Sequence, residues 1–248
     1  MPRFFVRAEQ IEELESIRQI VITGDDAHHI SRSLRMAVGE GLTICDMQKH
    51  IYECTITEIT DTRVYARIDG ESLSDTEPKA FISLYQAIPK GDKLETVIQK
   101  SIECGACEII PFSSERCIAK IDKKDAQKKA MRHNKIAESA SKQSGRGIIP
   151  EVKEAMSFDE AIKRASESDL AIMCYEGDGT QSLKAILCES KNAKTISVII
   201  GSEGGFSQKE VERARALGIR IAGLGKRILR CETAPTFALS CIVYETEL

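Results

Sequence analysis

Two hydrophobic periodicities divide the chain. Over residues 1–73, apolar positions alternate or cluster in short runs: QIVITG, EGLTICDM, HIYECTITEI and TRVYARID, each bounded by turn-forming residues. Runs of this kind predict β-strands, and their close spacing predicts a small β-barrel. One segment departs from the alternation. DDAHHISRSLRMAVG reads as a helix, with Asp25 or Asp26 as its cap and Gly39 as its stop. ESLSDTEP, residues 71–78, is polar, ends in proline and reads as a linker.

Beyond the linker the period changes. FISLYQAIP, CEIIPF, ERCIAK, DLAIMCYE, TISVIIG and IRIAGLG read as strands. Helices fall between them. DKLETVIQKSIECG sets Leu94, Val97, Ile98 and Ile102 on one face, and a long basic helix is expected from about Asp122 to Ser144. SFDEAIKRASES and SQKEVERARALG each open on a capping box, Ser157 with Glu160 and Ser207 with Glu210, and Gly218 stops the second. TQSLKAILCE and the closing ETAPTFALSCIVYE complete the set. This alternation predicts an α/β domain over 78–248, a parallel sheet with helices on both faces.

Composition narrows the class. With 42% hydrophobic and 29% charged residues in 248, the chain reads as a soluble globular protein. No apolar run approaches the roughly 20 residues of a membrane span. MPRFFVRAEQ lacks the apolar stretch of a signal peptide, so a cytoplasmic location is expected. Nine cysteines lie mostly in apolar surroundings and read as reduced, packed thiols. Cys104 and Cys107 form a lone CxxC, which leaves metal or redox chemistry as the alternative to packing. Charge is uneven: the balance is −7 over residues 1–77 and +4 over the remainder. Residues 116–146 hold ten Lys/Arg against three acids. That run is either a solvated helix face or an anion-binding surface.

In open parallel sheets, ligands bind beyond the carboxyl ends of strands. Three such ends carry unusual residues: MCYEGDG, IIGSEGGF and IAGLGKRILR. A dinucleotide site fits them poorly. GSEGGF is not GxGxxG, no acid follows at ribose distance, and Glu203 would repel a pyrophosphate. A ligand with a cationic centre, approached closely by backbone, fits better.

These segments resemble a known family. IIGSEGGFSQKEV followed by LGKRILRCETAPTFALS closely resembles the signature of the RsmE family, bacterial methyltransferases of small-subunit ribosomal RNA in the SPOUT (α/β-knot) superfamily. HHISRSLRMAVGE, QAIPKGDKLETVIQKSIECGACEIIPFSSERC and AESASKQSGRGIIPEV resemble its other blocks. Departures are Ser33 for valine, Lys142 for glutamate, and Ser202 where the family turn usually has proline. The resemblance implies a PUA-like β-barrel over 1–73 and a SPOUT α/β domain over 78–248 with a deep C-terminal trefoil knot. It implies S-adenosyl-L-methionine (SAM) as methyl donor, no metal, no membrane, and a homodimer acting on N3 of one uridine in 16S ribosomal RNA, naked or in the small subunit.

With that donor and that chemistry in view, residues take expected roles. Tyr175, Ile200, Gly201, Glu203, Gly204, Leu224, Gly225, Ile228 and Leu229 are expected to form the donor site, its glycines admitting backbone close to adenine and ribose. Glu203 stands either as an acceptor for helix amides or as a ligand contact. Arg230 and Glu232 are the catalytic candidates, cation and base, with helix capping as the alternative for Glu232. Arg3, His28, Arg35, Arg116, Lys142 and Arg146 are the expected RNA contacts, Arg146 beside the target nucleotide. The closing helix sets Ala234, Phe237, Ala238, Cys241 and Ile242 on one side as the dimer face. A non-catalytic RNA-binding protein and a nucleotide-dependent oxidoreductase are the competing classes.

Overall fold

The structure, a computed structural model, describes residues 1–14, 17–118 and 126–248. Two compact units emerge. Met1–Glu77 and Ser141–Ile149 form the first, Pro78–Ala140 and Pro150–Leu248 the second. The units join between Glu77 and Pro78, and the return of 141–149 to the first unit adds two more junctions.

The first unit is one six-stranded sheet. Its strands are β1 (Arg3–Phe5), β2 (Ile11–Leu14), β3 (Ile17–Thr23), β4 (Gly41–Cys45), β5 (His50–Ile59) and β6 (Arg63–Leu73), in the order β1-β4-β5-β6-β3-β2. Among the described residues only the β1–β4 pairing is parallel. Inward residues alternate as the pattern requires: Ile20 and Ile22, Leu42 and Ile44, Tyr52, Cys54 and Ile56, Val64 and Ala66 close on Phe4, Val6, Ala27 and Ile30. Helix α1 (Gly24–His28) continues as a π-helical turn, His29–Ser33. Its first residue follows Thr23, so Asp25 and Asp26 lie in the first turn rather than at the cap, where their charge still suits the helix dipole. The helical run ends before Gly39, because Arg35 takes a left-handed φ of 54°.

Residues 141–149 are bound to this unit by buried polar contacts. The Arg146 guanidinium pairs with Glu77 at 2.5 Å, their side chains 4% and 8% exposed. Glu77 also accepts the amides of Gly147 and Ile148, at 3.0 and 3.2 Å. Lys142 pairs with Asp26 at 2.7 Å and lies over the Phe4 ring.

The second unit is an all-parallel sheet flanked by helices. Along the chain run β7 (Phe81–Ala87), α2 (Lys93–Glu103), β8 (Glu108–Ser113), α3 (Ala126–Ser144), β9 (Glu151–Val152), β10 (Met156–Ser157), α4 (Phe158–Ala165) and β11 (Leu170–Cys174). There follow β12 (Gln181–Ser182), α5 (Leu183–Glu189), β13 (Thr195–Ile200), α6 (Gln208–Ala216), β14 (Arg220–Gly223) and α7 (Thr233–Glu247). The strand order is β10-β8-β7-β13-β11-β14-β12, with β9 beside β8. Central strands are buried along their length, as a sheet covered on both faces demands. Both capping boxes form: Ser157 and Ser207 accept the amides of Glu160 and Glu210, whose carboxylates accept the cap amides in return. Phe112, Phe158 and Phe206 pack with ring centroids 6.1–6.4 Å apart beneath the β13–α6 turn.

Two expectations need correction. ERCIAK is not a strand as far as it is described: the chain turns at Glu115 and Arg116, with the Cys117 amide bonded to the Ser114 carbonyl. The rest of that segment, and the expected start of the basic helix near Asp122, lie outside the described residues. On α7, Ala238 and Ile242 are buried in their own chain, so they cannot join a partner-facing side. The outward stripe is Thr233, Phe237, Ser240 and Tyr244.

Candidate active site

Strands β13, β11 and β14 are adjacent, and the loops leaving their carboxyl ends meet around a cleft of about 470 Å³. Residues 174–176 supply one edge, 200–203 with Gly205 and Phe206 the second, and 223–232 with Ala234 the third. Of the expected donor-site residues, Tyr175, Ile200, Gly201 and Glu203 border this cleft. Leu224, Gly225, Ile228 and Leu229 border it as well, with Ile228 largely exposed. Arg230 and Glu232 stand at the same rim. Gly204 does not line it. Its carbonyl accepts a bond from Arg116 at 3.0 Å, and a Cβ there would lie 2.9 Å from the Arg116 Cβ.

The glycines serve different ends. Gly201 has no left-handed φ; a Cβ on it would stand 3.2 Å from the Gly205 Cα, so smallness lets the turn fold on itself. The left-handed positions are Gly205, at φ +61°, and Gly225, at φ +106°. Beside Gly225 there is open space, with no atom within 4 Å of a would-be Cβ. A GG pair does not say which residue carries the positive φ, so sequence alone does not single out Gly205.

Charged groups gather at the rim. Lys93, from the first turn of α2, lies 2.9 Å from the Glu203 carboxylate and 3.7 Å from that of Glu232. Glu203 also accepts the Lys90 amide on both oxygens, at 3.3 Å. It therefore serves the approach to α2 rather than its own helix α6. Burial pushes its carboxyl up, but the bonds from Lys93, its own amide and Lys90 outweigh this and hold it below the usual range. Glu232 occupies the N-cap of α7 yet makes no side-chain capping bond. It accepts the Cys231 thiol at 3.1 Å, the leading cause of a carboxyl held below its ordinary value, with Lys93 and Arg230 adding to it. Burial and that same bond push the Cys231 thiol up to about 12, so it stays protonated beside the cleft. Lys93 was invisible to motif reasoning, since its partners lie more than 100 residues away.

The expected RNA contacts divide. His28 and Arg35 are exposed on the first unit, and Arg116 is exposed on the second. Arg3 donates to the Arg146 carbonyl at 3.1 Å, and Lys142 is paired with Asp26. Arg146 is 3% exposed and bound to Glu77, so the expectation that its guanidinium meets the target nucleotide is corrected: its charge is spent inside the first unit. On α3, Lys128 and Lys129 face solvent and Arg132 pairs with Glu95 at 2.7 Å. Cys104 accepts a bond from the Ser240 hydroxyl, and the Cys107 thiol reaches the Ala80 carbonyl. Among the described residues no helix is long and apolar enough to cross a membrane, and no group of three or more His, Cys, Asp or Glu could hold a metal ion.

Known proteins resemble the chain over nearly its whole length. Residues 76–243 match the family model described as an RNA methyltransferase domain, and residues 22–69 the RNA methyltransferase PUA domain. The ribosomal RNA small subunit methyltransferase E of Bacillus subtilis is 34% identical, the match covering 100% of this chain and 98% of that protein. A structure of the Neisseria gonorrhoeae enzyme of that name, bound to SAM, aligns with a TM-score of 0.86 at 31% identity over 99% of this chain and 98% of that one. A Legionella pneumophila structure described as a methyltransferase with its cofactor SAM aligns at 0.85 and 30% identity, covering 97% and 96%. Two sheets in this order, a cleft at three strand ends and matches to both domain models agree: the chain belongs to the ribosomal RNA small subunit methyltransferase E family.

Proposed function

We propose that this protein transfers a methyl group from SAM to N3 of a specific uridine in 16S ribosomal RNA, as a cytoplasmic homodimer whose second unit carries the SPOUT knot. Membership of the family supports small-subunit ribosomal RNA methylation with SAM as donor. The observation that carries it is the cleft at the ends of β11, β13 and β14, apolar on one wall and charged at its rim.

The residues present suit the donor. Open space beside Gly225, apolar Ile200, Leu224 and Leu229, and a buried Ser202 hydroxyl without a partner among the described residues form a pocket for a nucleoside of mixed polarity. A volume of about 470 Å³ lies within the range of small-ligand sites. When bound, SAM supplies a methyl group activated by its sulfonium charge. No phosphate enters, so the carboxylates of Glu176, Glu203 and Glu232 among the rim's cations are compatible with binding.

Uracil N3 is protonated and neutral at physiological pH, so it must lose its proton as it becomes a nucleophile. Arg230, exposed at the rim, can offset charge developing on the uracil oxygens. Glu232, ionised at neutral pH, can accept the proton. Reaching a paired base would require splaying it out, so single-stranded or distorted RNA fits best. Single-turnover transfer from labelled SAM to 16S RNA, followed by nucleoside mass analysis, tests the reading. Label in N3-methyluridine is expected. Label on a ribose oxygen or a ring carbon would overturn the N3 assignment, and no label on naked RNA or on small subunits would overturn the activity.

A further inference from the structure

We propose that Lys93 is a positioning residue of the transfer: by binding Glu203 it commits that carboxylate to the fold and leaves Glu232 as the one that takes the uracil N3 proton. This deepens the N3 reading and rests on it.

The two carboxylates share one cation unequally. A carboxylate has about four acceptor sites. Those of Glu203 meet the Lys93 ammonium at 2.9 Å and the Lys90 amide at 3.3 Å on each oxygen. Glu232 receives the Cys231 thiol, a weak donor, and its own amide, and lies 3.7 Å from the ammonium, beyond a good hydrogen bond. Glu232 therefore keeps accepting capacity toward the cleft, while Glu203 is engaged with the segment leading into α2. The groups facing Glu232 are Lys93 from α2 and Arg230 and Cys231 from its own loop, and Glu203 of the β13–α6 turn reaches it through the shared Lys93. Two cations, a thiol donor and its own amide favour its ionised form.

The step balances. The N3–H bond breaks and its proton goes to a Glu232 oxygen. The electron pair left on N3 forms the N–CH₃ bond as the methyl–sulfur bond breaks and its pair stays on sulfur. One positive and one negative charge vanish together, leaving a thioether and a neutral carboxylic acid, which then loses its proton to water. Lys93 keeps Glu203 as its partner throughout, so its charge is never left uncompensated at the rim.

Two substitutions separate this role from simple support. Lys93→Met removes a cation from Glu232, whereas Glu203→Gln removes the competing carboxylate and releases the ammonium toward it. Carbon-13 NMR titration of the Glu232 carboxyl in donor-free protein should show the midpoint rising in the first and falling in the second. Single-turnover transfer by Lys93→Met should fall most on the acid side, with the acid limb of its pH profile displaced upward. Lys93→Arg should restore most of the rate. Calorimetry with S-adenosylhomocysteine should change by less than about 3-fold, or roughly 0.7 kcal/mol. An unmoved Glu232 midpoint in folded Lys93→Met, equal shifts of one sign in both variants, or failure of Lys93→Arg to restore the rate would each overturn the proposal. A wild-type protein that binds S-adenosylhomocysteine but makes no N3-methyluridine would instead sink the substrate reading, and the titration would still report on Lys93.

Discussion

Glu77 makes no claim on the cleft, yet its removal should damage the protein more than removal of the arginine it holds. Its carboxylate is 8% exposed and accepts Arg146 together with the amides of Gly147 and Ile148. Glu77→Ala leaves a guanidinium of 4% exposure without its carboxylate, and both amides lose an acceptor. Breaking a buried pair from one side costs about 3–5 kcal/mol. The two stranded amides place the expected loss at the upper end of that range. Arg146→Ala leaves Glu77 still bonded to both amides, so its cost should be lower by about 1–2 kcal/mol. The double change Glu77→Gln with Arg146→Met buries no net charge and should recover much of the loss. Urea melts followed by circular dichroism measure all three, and the Glu77→Ala midpoint should fall by more than about 1 M. Two results would refute the reasoning. One is Glu77→Ala within about 1 kcal/mol of wild type, below any buried-pair cost. The other is a folded Arg146→Met that loses RNA affinity in filter binding while folded Glu77→Gln loses none, which would mean that the guanidinium touches RNA directly.

Gly225→Val should abolish binding of S-adenosylhomocysteine in calorimetry, because a branched side chain fills the open space there and opposes a φ of +106°; wild-type affinity in the folded variant would move the donor elsewhere. Phe237→Glu with Tyr244→Glu charges the outward stripe of α7 and should convert a dimer to monomers in light scattering, and an unchanged mass would exclude that stripe as the interface. Asp46 is 8% exposed; burial pushes its carboxyl up, but the Gln48 and His50 amides and the His50 ring hold it below its usual range. Its contribution is thus present above the unfolded value near 4 and lost as pH falls through the lower folded one; Asp46→Asn should flatten the acid limb of a stability–pH curve.

What could be read from sequence was what neighbours in sequence decide. Ser157 with Glu160 and Ser207 with Glu210 cap helices through atoms three residues apart, so both were legible. The strand ends at Tyr175, Gly201 and Leu224 were legible because parallel strands leave their ligand loops on one edge. β1 and β2 span three and four residues, too few to display an alternation. On α7 apolar residues occur nearly all round, so periodicity could not choose between Ala238, which is buried, and Phe237, which is not. Lys93 and Arg146 find partners 110 and 69 positions away, and nothing in PKGDK or KQSGRG announces them.

The discontinuity of the first unit has a temporal side. Synthesis delivers β1 to β6 early, but the sheet's last partners, Lys142 and Arg146, follow only after residues 78–140. At about 5–20 residues per second, that stretch takes roughly 3–13 s to translate. Throughout that interval Glu77 and Asp26 await cations not yet made, and the second unit's first strands are already emerging. The usual order, in which the N-terminal unit finishes before its successor begins, is therefore closed to this chain. A nascent chain stopped before residue 141 should present a first unit with its acidic pockets open to water. A scissile site engineered at the linker would free no complete piece, because the first unit needs chain from both sides of the cut.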